Sequence, residues 1–263
     1  MKIALMDSGI GLLAAAAAVR RLRPDADIVL SSDPDGMPWG PRTPEDLTGR
    51  ALDVARAAAG ALPDALIVAC NTASVHSLPA LRAELEPGIP VIGTVPAIKP
   101  AAARGGKVAI WATPATTGSP YQRGLIREFA AGAEVTEVPC PGLADAVQWA
   151  DEDAVRRTVA AAAALTPPDV TDLVLGCTHY ELVVEPIEAA LRLRTGGALP
   201  VFHGSADAVA AQALRRVGVP AAPGAAATGG LTVLLSGRTG ELPAEALTYE
   251  AGRLLAGAAP VRG

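Results

Sequence analysis

The sequence predicts an α/β protein made of two pseudo-symmetric doubly wound lobes, each with a parallel sheet. Short aliphatic runs alternate with helix-like segments, which is typical of a doubly wound parallel sheet. Two of these runs end at Cys70 and Cys177, and small polar residues follow each cysteine. The chain has 263 residues, half of them apolar, which is enough for two lobes of about 100–130 residues with buried cores.

The first lobe has a β-α-β-α pattern. Strands are expected at residues 2–6, 27–31, 66–69 and 90–93. Helices are expected at residues 12–22, 44–60 and 77–86. Pro24 ends the first helix, and Thr43 is a natural cap for the second, with Pro44 in its first turn. The segment 33–41 is too rich in Pro and Gly for a helix or strand, so we expect a loop there.

The second lobe repeats the first. Residues 107–113 resemble residues 2–7. The distance along the chain between these two segments is nearly equal to the distance between Cys70 and Cys177. Chance similarity between apolar strands is the alternative explanation. The chain is expected to cross between the lobes at 94–106 and 204–207, and the strand at 231–235 and a helix at 243–255 return to the first lobe. The lobes are therefore residues 1–95 with 208–263, which carry Cys70, and residues 96–207, which carry Cys177, with the active site in the cleft between them.

Composition excludes several classes of partner and cofactor. A net charge of -5 provides no basic surface for nucleic acid, and no apolar run approaches the ~20 residues of a membrane span. An apolar stretch near the N-terminus imitates a signal peptide, but Asp7 interrupts it. The three cysteines fit neither a disulfide framework nor a metal site, which favours a reduced cytoplasmic setting.

The paired cysteines suggest proton transfer at an α-carbon. Inversion of such a carbon needs a base on one face and an acid on the other, and thiols can serve in both roles. Asp7 and His179 stand at strand ends, where each could assist one thiol. The alternative for each cysteine is a small buried hydrophobe, and Cys140, between two prolines, is interpreted in that way.

Other candidates have structural alternatives too. Asp7 could simply cap the helix that follows it, and Trp39 could anchor its loop instead of contacting substrate. His76 and His203 have weaker claims than His179, because neither lies beside a candidate thiol in the sequence.

At these positions the chain resembles the glutamate racemases, cofactor-independent enzymes of the aspartate/glutamate racemase superfamily. The matching segments, in the family's order, are 7–11 (DSGIG), 37–42 (MPWGPR), 69–73 (ACNTA), 113–116 (TPAT) and 176–180 (GCTHY). The resemblance implies interconversion of L- and D-glutamate with no cofactor and no metal. It implies that Cys70 acts on the D-enantiomer and Cys177 on the L-enantiomer, with Asp7 and His179 assisting.

The resemblance also implies the substrate-binding residues and the setting. The residues expected to contact substrate are Ser8, Trp39, Gly40, Asn71, Thr72, Thr116 and Thr178. The D-glutamate produced would enter bacterial peptidoglycan. We expect a cytoplasmic homodimer that binds a small-molecule substrate, with neither nucleic acid nor membrane as a partner.

Several positions depart from the family pattern. Leu12 replaces a glycine, Trp39 replaces a tyrosine, and Gly204 stands where an aspartate is usual. Gln148 replaces a glutamate expected to support His179, and an amide cannot carry the charge that favours a protonated imidazole. These changes keep alternatives open: a racemase of another amino acid or α-carbon acid, or a weakly active homologue that binds a metabolite or partner. A cysteine hydrolase using Cys177 and His179 is disfavoured because nothing resembles an oxyanion or orienting group.

Overall fold

The computed structural model of the protein describes residues 1–196 and 198–257, and it has two compact units. Unit 1 comprises Met1–Val95 and the segment that begins at Ala206, and unit 2 is Pro96–Ser205. The second boundary lies two residues before the one expected from the sequence. Each unit is an α/β structure with its own sheet.

The elements alternate along most of the chain. The strands are β1 (Lys2–Asp7), β2 (Asp27–Ser32), β3 (Ala65–Val68), β4 (Val91–Gly93), β5 (Val108–Ala112), β6 (Val135–Pro139), β7 (Asp172–Leu175), β8 (Val201–His203), β9 (Leu231–Leu235) and β10 (Arg238–Gly240). The helices are α1 (Leu13–Leu22), α2 (Pro44–Ala59), α3 (Asn71–His76), α4 (Leu78–Leu85), α5 (Ile98–Ala102), α6 (Pro120–Phe129), α7 (Leu143–Gln148), α8 (Glu152–Leu165), α9 (Val184–Thr195), α10 (Ala206–Arg216) and α11 (Glu250–Leu255). None of the described helices is long and apolar enough to cross a bilayer.

The two sheets share a strand order, which confirms the predicted fold class. Within the described residues, the sheet of unit 1 has the order β10-β9-β2-β1-β3-β4, and that of unit 2 has the order β6-β5-β7-β8. The order β2-β1-β3-β4 therefore corresponds strand for strand to β6-β5-β7-β8. All pairings are parallel except that of β10 with β9.

Local sequence explains the main elements. The central strands β1 and β3 are aliphatic and almost completely buried, as expected for parallel strands covered on both faces. Thr43 caps α2 as predicted, because its side chain accepts a hydrogen bond of 3.3 Å from the backbone N–H of Asp46. Ala15, Ala16, Ala17 and Ala18 of α1 are buried, and α1 packs against α10 and α11 in unit 1.

The structure corrects two expectations near the C-terminus. The helix expected at 243–255 is instead a 3₁₀ turn (Ala244–Thr248), an extended Tyr249 and α11. A side chain at Gly252 would place Cβ 1.9 Å from the carbonyl oxygen of Ala246, so the glycine permits the chain to fold back there. The antiparallel strand β10 was not expected. It follows a two-residue turn in which Ser236 and Gly237 have positive φ, the conformation favoured in hairpins.

One correction applies near the N-terminus. The helix expected at 12–22 is preceded by a 3₁₀ turn over Ile10–Leu12, and α1 itself begins at Leu13. Gly9 precedes that turn, and no side chain caps it. Gly9, and not Asp7, occupies the N-cap position of this turn, which argues against the alternative role of Asp7 as a helix cap.

Candidate active site

Each sheet has a topological switch point, and candidate residues follow the strands on both sides of it. In unit 1, the chain leaves β1 toward β2 on one side and leaves β3 toward β4 on the other side, so the switch point lies between β1 and β3. Ligands of open α/β sheets bind outside the carboxyl ends of the strands at such a point. Asp7 is the last residue of β1, and Cys70 comes two residues after β3. The parallel pairing of Met6 with Val68 places both residues at the same edge of the sheet.

Cys70 lies at the point where the chain turns from strand to helix. Its backbone is extended, with φ of -143° and ψ of 119°, and α3 begins at the next residue. Cys70 is 7% exposed and Asn71 is 6% exposed, while Thr72 is half-buried. The carbonyl of Val68 accepts hydrogen bonds from Thr94 Oγ1 (2.7 Å) and Ser74 Oγ (3.3 Å), which fix the strand end next to the thiol.

Asp7 is a buried carboxyl group with an unusual environment. It is 1% exposed, and among the residues that the structure describes its Oδ2 atom has no hydrogen-bond partner. A buried carboxylate oxygen without a partner is unfavourable for folding, and such groups in native structures require a functional or ligand-based explanation. The Oδ2 atom of Asp7 can therefore interact with a polar ligand, and Ser8 follows Asp7, half-buried.

Trp39 is anchored within unit 1. Its ring is 1% exposed in the hydrophobic core, and its Nε1–H donates a hydrogen bond of 3.0 Å to Asp33 Oδ2. The same carboxylate accepts bonds from Arg50 Nη1 (3.3 Å) and Ser236 Oγ (3.1 Å). This arrangement supports the loop-anchor alternative for Trp39. Gly40 beside it is exposed, and a side chain there would meet no atom within 4 Å.

Unit 2 repeats the arrangement around its own switch point between β5 and β7. Cys177 comes two residues after β7 and begins a 3₁₀ turn over Thr178–Leu182. Gly176 N–H donates to the Trp111 carbonyl of β5 at 2.7 Å, and a Cβ at Gly176 would lie 2.7 Å from that same oxygen. Only glycine therefore permits the approach of β7 to β5 that positions Cys177.

The thiol of Cys177 and the imidazole of His179 lie together. The distance from Sγ to His179 Nδ1 is 3.9 Å, and His179 Nε2 lies 3.1 Å from Gln148 Oε1. His179 is 8% exposed, whereas Cys177 is more accessible. An Nε2–H donated to the Gln148 oxygen leaves Nδ1 unprotonated and facing the thiol, so that Nδ1 can accept the thiol proton.

The remaining predicted residues of unit 2 lie near strand ends. Thr116 follows β5 in a turn, where its backbone N–H donates to the Thr113 carbonyl at 2.9 Å and the two hydroxyls lie 3.2 Å apart. Thr178 is 6% exposed. Cys140 is 2% exposed, and burial above all raises the pKa of its thiol to about 12, which suits the structural role predicted for it.

The other two histidines lie elsewhere. His76 is exposed at the end of α3. His203 Nε2 lies 2.7 Å from Oδ1 of Asp172, a buried residue that also pairs with Arg104 and accepts a bond from Thr171. Burial acts to raise the pKa of Asp172, but these hydrogen bonds and the nearby charge outweigh it and hold the pKa below its ordinary value. This cluster gives His203 a structural role beside the Arg104–Asp172 ion pair.

Comparisons with known proteins place the chain in a family. The sequence model of the Asp/Glu/Hydantoin racemase family matches residues 11–213. The chain belongs to this racemase family. It is 36% identical over 192 residues to a glutamate racemase from Roseiflexus sp. (strain RS-1), covering 71% of this chain and 70% of that one. The resemblance stated from the motifs is confirmed, and membership makes the chain an isomerase.

Solved racemase structures share the fold. The glutamate racemase of Escherichia coli, crystallised with L-glutamate and the activator UDP-MurNAc-Ala, matches with a TM-score of 0.73 and 27% identity, covering 89% of this chain and 88% of that one. Isoform RacE1 from Bacillus anthracis matches with a TM-score of 0.69 and 29% identity, covering 89% and 87%.

Sequence reasoning missed two carboxylates near the candidate residues. Glu181, in the turn that Cys177 begins, bonds to Ser205 after β8. The Asp33 carboxylate accepts the hydrogen bonds from Trp39, Arg50 and Ser236 that anchor the Trp39 loop. The sequence signal for Glu181 was an acidic residue directly after a recognised motif, and that for Asp33 was an acidic residue in the Pro- and Gly-rich loop.

Proposed function

We propose that the protein is a glutamate racemase that works with two thiols and no cofactor. The observation that carries the proposal is that corresponding strands of two equivalent sheets, β3 and β7, are each followed two residues later by a cysteine at a switch point. Family membership, and relatives that carry the name glutamate racemase, support glutamate as the substrate.

In the proposed reaction, Cys70 and Cys177 act on opposite faces of the same α-carbon. With D-glutamate, the thiolate of Cys70 takes the α-proton and becomes a thiol, leaving a carbanion. The thiol of Cys177 then donates its proton to the other face and becomes a thiolate, which gives L-glutamate. The reverse reaction exchanges the two roles, and no electrons are gained or lost in either direction.

Asp7 and His179 are proposed to assist the thiols. His179 Nδ1 lies 3.9 Å from the sulfur of Cys177 and is oriented by Gln148 on its other nitrogen. It can hold the thiol proton while Cys177 acts as the base. Because Gln148 is neutral, it provides orientation without charge stabilisation of an imidazolium, so this side should be activated less strongly than with a carboxylate.

Substrate recognition is proposed to use small polar groups at the strand ends. The residues proposed to contact substrate remain Ser8, Trp39, Gly40, Asn71, Thr72, Thr116 and Thr178. Among them, Trp39 has the weakest support because its ring and indole N–H are engaged in the core of unit 1. We further propose a cytoplasmic homodimer that supplies D-glutamate for peptidoglycan.

The test follows the α-proton. D- and L-glutamate are incubated separately in D₂O with the wild type, Cys70→Ala and Cys177→Ala, and deuterium at Cα and the enantiomer ratio are measured by NMR and chiral chromatography. We expect exchange and inversion with the wild type from both enantiomers and loss of inversion in each variant. Cys140→Ala is the matched control, because it removes a thiol outside the site.

Two results would contradict the proposal. Wild type that leaves both enantiomers unexchanged at high enzyme concentration would exclude glutamate, and a screen of other amino acids would then identify the substrate. Inversion that survives in either cysteine variant at the rate of Cys140→Ala would exclude the two-thiol mechanism.

A further inference from the structure

Glu181 links the turn that carries Cys177 and His179 to the segment after β8. Its Oε1 atom accepts a hydrogen bond of 2.8 Å from the backbone N–H of Ser205 and one of 2.7 Å from the Ser205 hydroxyl. Ser205 is 4% exposed. Bonds to a carboxylate are roughly twice as strong as bonds between neutral groups. The link is therefore strong enough to fix this end of the turn.

Three consecutive side chains hold the turn, and each contacts a different part of unit 2. His179 contacts Gln148 of α7, and the hydroxyl of Tyr180 donates to the carbonyl of Cys140 after β6 at 3.4 Å. Glu181 provides the third attachment, beyond β8. Because 3₁₀ turns are short and weakly bonded internally, such external contacts determine where their side chains point.

The carboxylate of Glu181 lies where a side chain at position 204 would begin. A Cβ at Gly204 would lie 2.4 Å from Glu181 Oε2 and 2.8 Å from Glu181 Cδ. A side chain at position 204 would therefore force the Glu181 carboxylate to shift from the position in which Ser205 bonds to it. The glycine at this position leaves open the volume that the Glu181 carboxylate occupies.

We propose that Glu181 is a positioning residue for Cys177. Its carboxylate, in the turn Thr178–Leu182, takes the place of the one that Gly204 lacks. It thereby keeps the Cys177 thiol next to the His179 imidazole for proton transfer. The catalytic part of this inference rests on the proposed racemase function. The structural part, that Glu181 controls the environment of the Cys177 thiol, does not depend on the substrate.

The first experiment measures the thiol directly. The wild type, Glu181→Ala and Gly204→Ala are treated with iodoacetamide over a range of pH, and alkylation of each cysteine is followed by peptide mass spectrometry. We expect Cys177 to be alkylated severalfold more slowly at neutral pH in both variants, with a changed pH profile, because the thiolate is the reactive form. Cys70, in unit 1, is the internal control and should keep its wild-type rate.

The second experiment is a double-mutant cycle on racemisation of glutamate. A misplaced catalytic group can lower kcat by about 10- to 100-fold, and we expect this range for Glu181→Ala and for Gly204→Ala, with little change in KM. If Gly204→Ala acts by displacing the Glu181 carboxylate, the variant carrying both substitutions should be no slower than Glu181→Ala alone. Glu181→Ala combined with Gly204→Asp should recover most of the lost kcat, because the carboxylate is restored from the other side.

The control is Gly132→Ala, also in unit 2, where an added Cβ would meet no atom within 4 Å. It should leave both alkylation and kcat unchanged. Additive effects of Glu181→Ala and Gly204→Ala, failure of Gly204→Asp to rescue, or unchanged alkylation of Cys177 in Glu181→Ala would each overturn the inference. If the wild type does not act on glutamate, the racemase proposal fails, while the alkylation experiment still decides the role of Glu181.

Discussion

Replacement of Trp39 by phenylalanine tests whether a buried carboxylate stabilises unit 1 through the Trp39 loop. The change deletes the N–H that lies 3.0 Å from Asp33 Oδ2, and Asp33 is only 5% exposed. Loss of a hydrogen bond to a charged group costs about 1.5–3 kcal/mol of unfolding free energy. Arg50 and Ser236 still contact the carboxylate, so it stays inside the protein with fewer donors.

Trp111 offers a matched control in unit 2. It is also fully buried, but its Nε1–H donates to the neutral hydroxyl of Thr166 at 2.8 Å. Trp111→Phe should therefore cost about 0.5–1.5 kcal/mol for the hydrogen bond. The change in ring volume is the same at both sites and largely cancels in the comparison. Trp39→Phe should thus destabilise unit 1 by about 1 kcal/mol more than Trp111→Phe destabilises unit 2.

Native-state hydrogen exchange with mass spectrometry suits this comparison, because it reports an opening free energy for each unit separately. Peptides from β1 and β3 report on Trp39→Phe, and peptides from β5 and β7 report on Trp111→Phe. Equal losses in the two variants, or a larger loss in Trp111→Phe, would refute the argument that the charge on Asp33 strengthens the Trp39 anchor.

Three further substitutions probe the site and its support. Gln148→Glu places a carboxylate about 3 Å from His179 Nε2, which stabilises an imidazolium by about 1–4 kcal/mol and should raise kcat for L-glutamate more than for D-glutamate. Gly176→Ala forces Cβ against the Trp111 carbonyl and should cost about 1–3 kcal/mol of unfolding free energy in urea titrations while lowering kcat. Asp172→Asn should destabilise the protein at neutral pH, with a smaller difference from the wild type in acid. The folded-state pKa of Asp172 is lowered, so the carboxylate contributes stability above about pH 4 and loses it as the pH falls through the folded-state value.

Each substitution has a control or a contradicting result. Equal changes in kcat for both enantiomers in Gln148→Glu would argue against a specific effect at Cys177. Gly49→Ala, in an exposed and open position of α2, should stabilise by about 0.5–1 kcal/mol and so give the opposite sign to Gly176→Ala. A destabilisation by Asp172→Asn that stays constant from pH 7 to pH 3 would show that the carboxylate acts without its charge.

The sequence predicted the parts of the fold that depend on neighbouring residues. Aliphatic runs specified the central strands, and the Thr43 cap and the cysteines at strand ends followed from local patterns. The break at Tyr249 was missed because residues 243–255 have helix-forming composition, and the close approach of Gly252 to Ala246 is a packing effect that composition does not report.

The missed contacts join residues that are distant in the chain. The bond from Ser205 to Glu181 spans 24 positions, and that from Ser236 to Asp33 spans 203. Periodicity indicates which face of an element is buried, but it does not identify which polar side chains meet across elements. The turn at Ser236 and Gly237 is different, because that dipeptide is a recognised turn signal and could have indicated β10.

The division of the chain has a consequence for its synthesis. Unit 2 is the continuous segment Pro96–Ser205, whereas unit 1 needs residues from both sides of it. Within unit 1, β9 pairs with β2, and α10 packs on α1. At about 5–20 residues per second, ribosomes need roughly 5–20 s to make unit 2. During that time the nascent chain exposes the edge of β2 and the alanine face of α1, so chaperones have their opportunity to bind before Ala206 and the residues after it emerge.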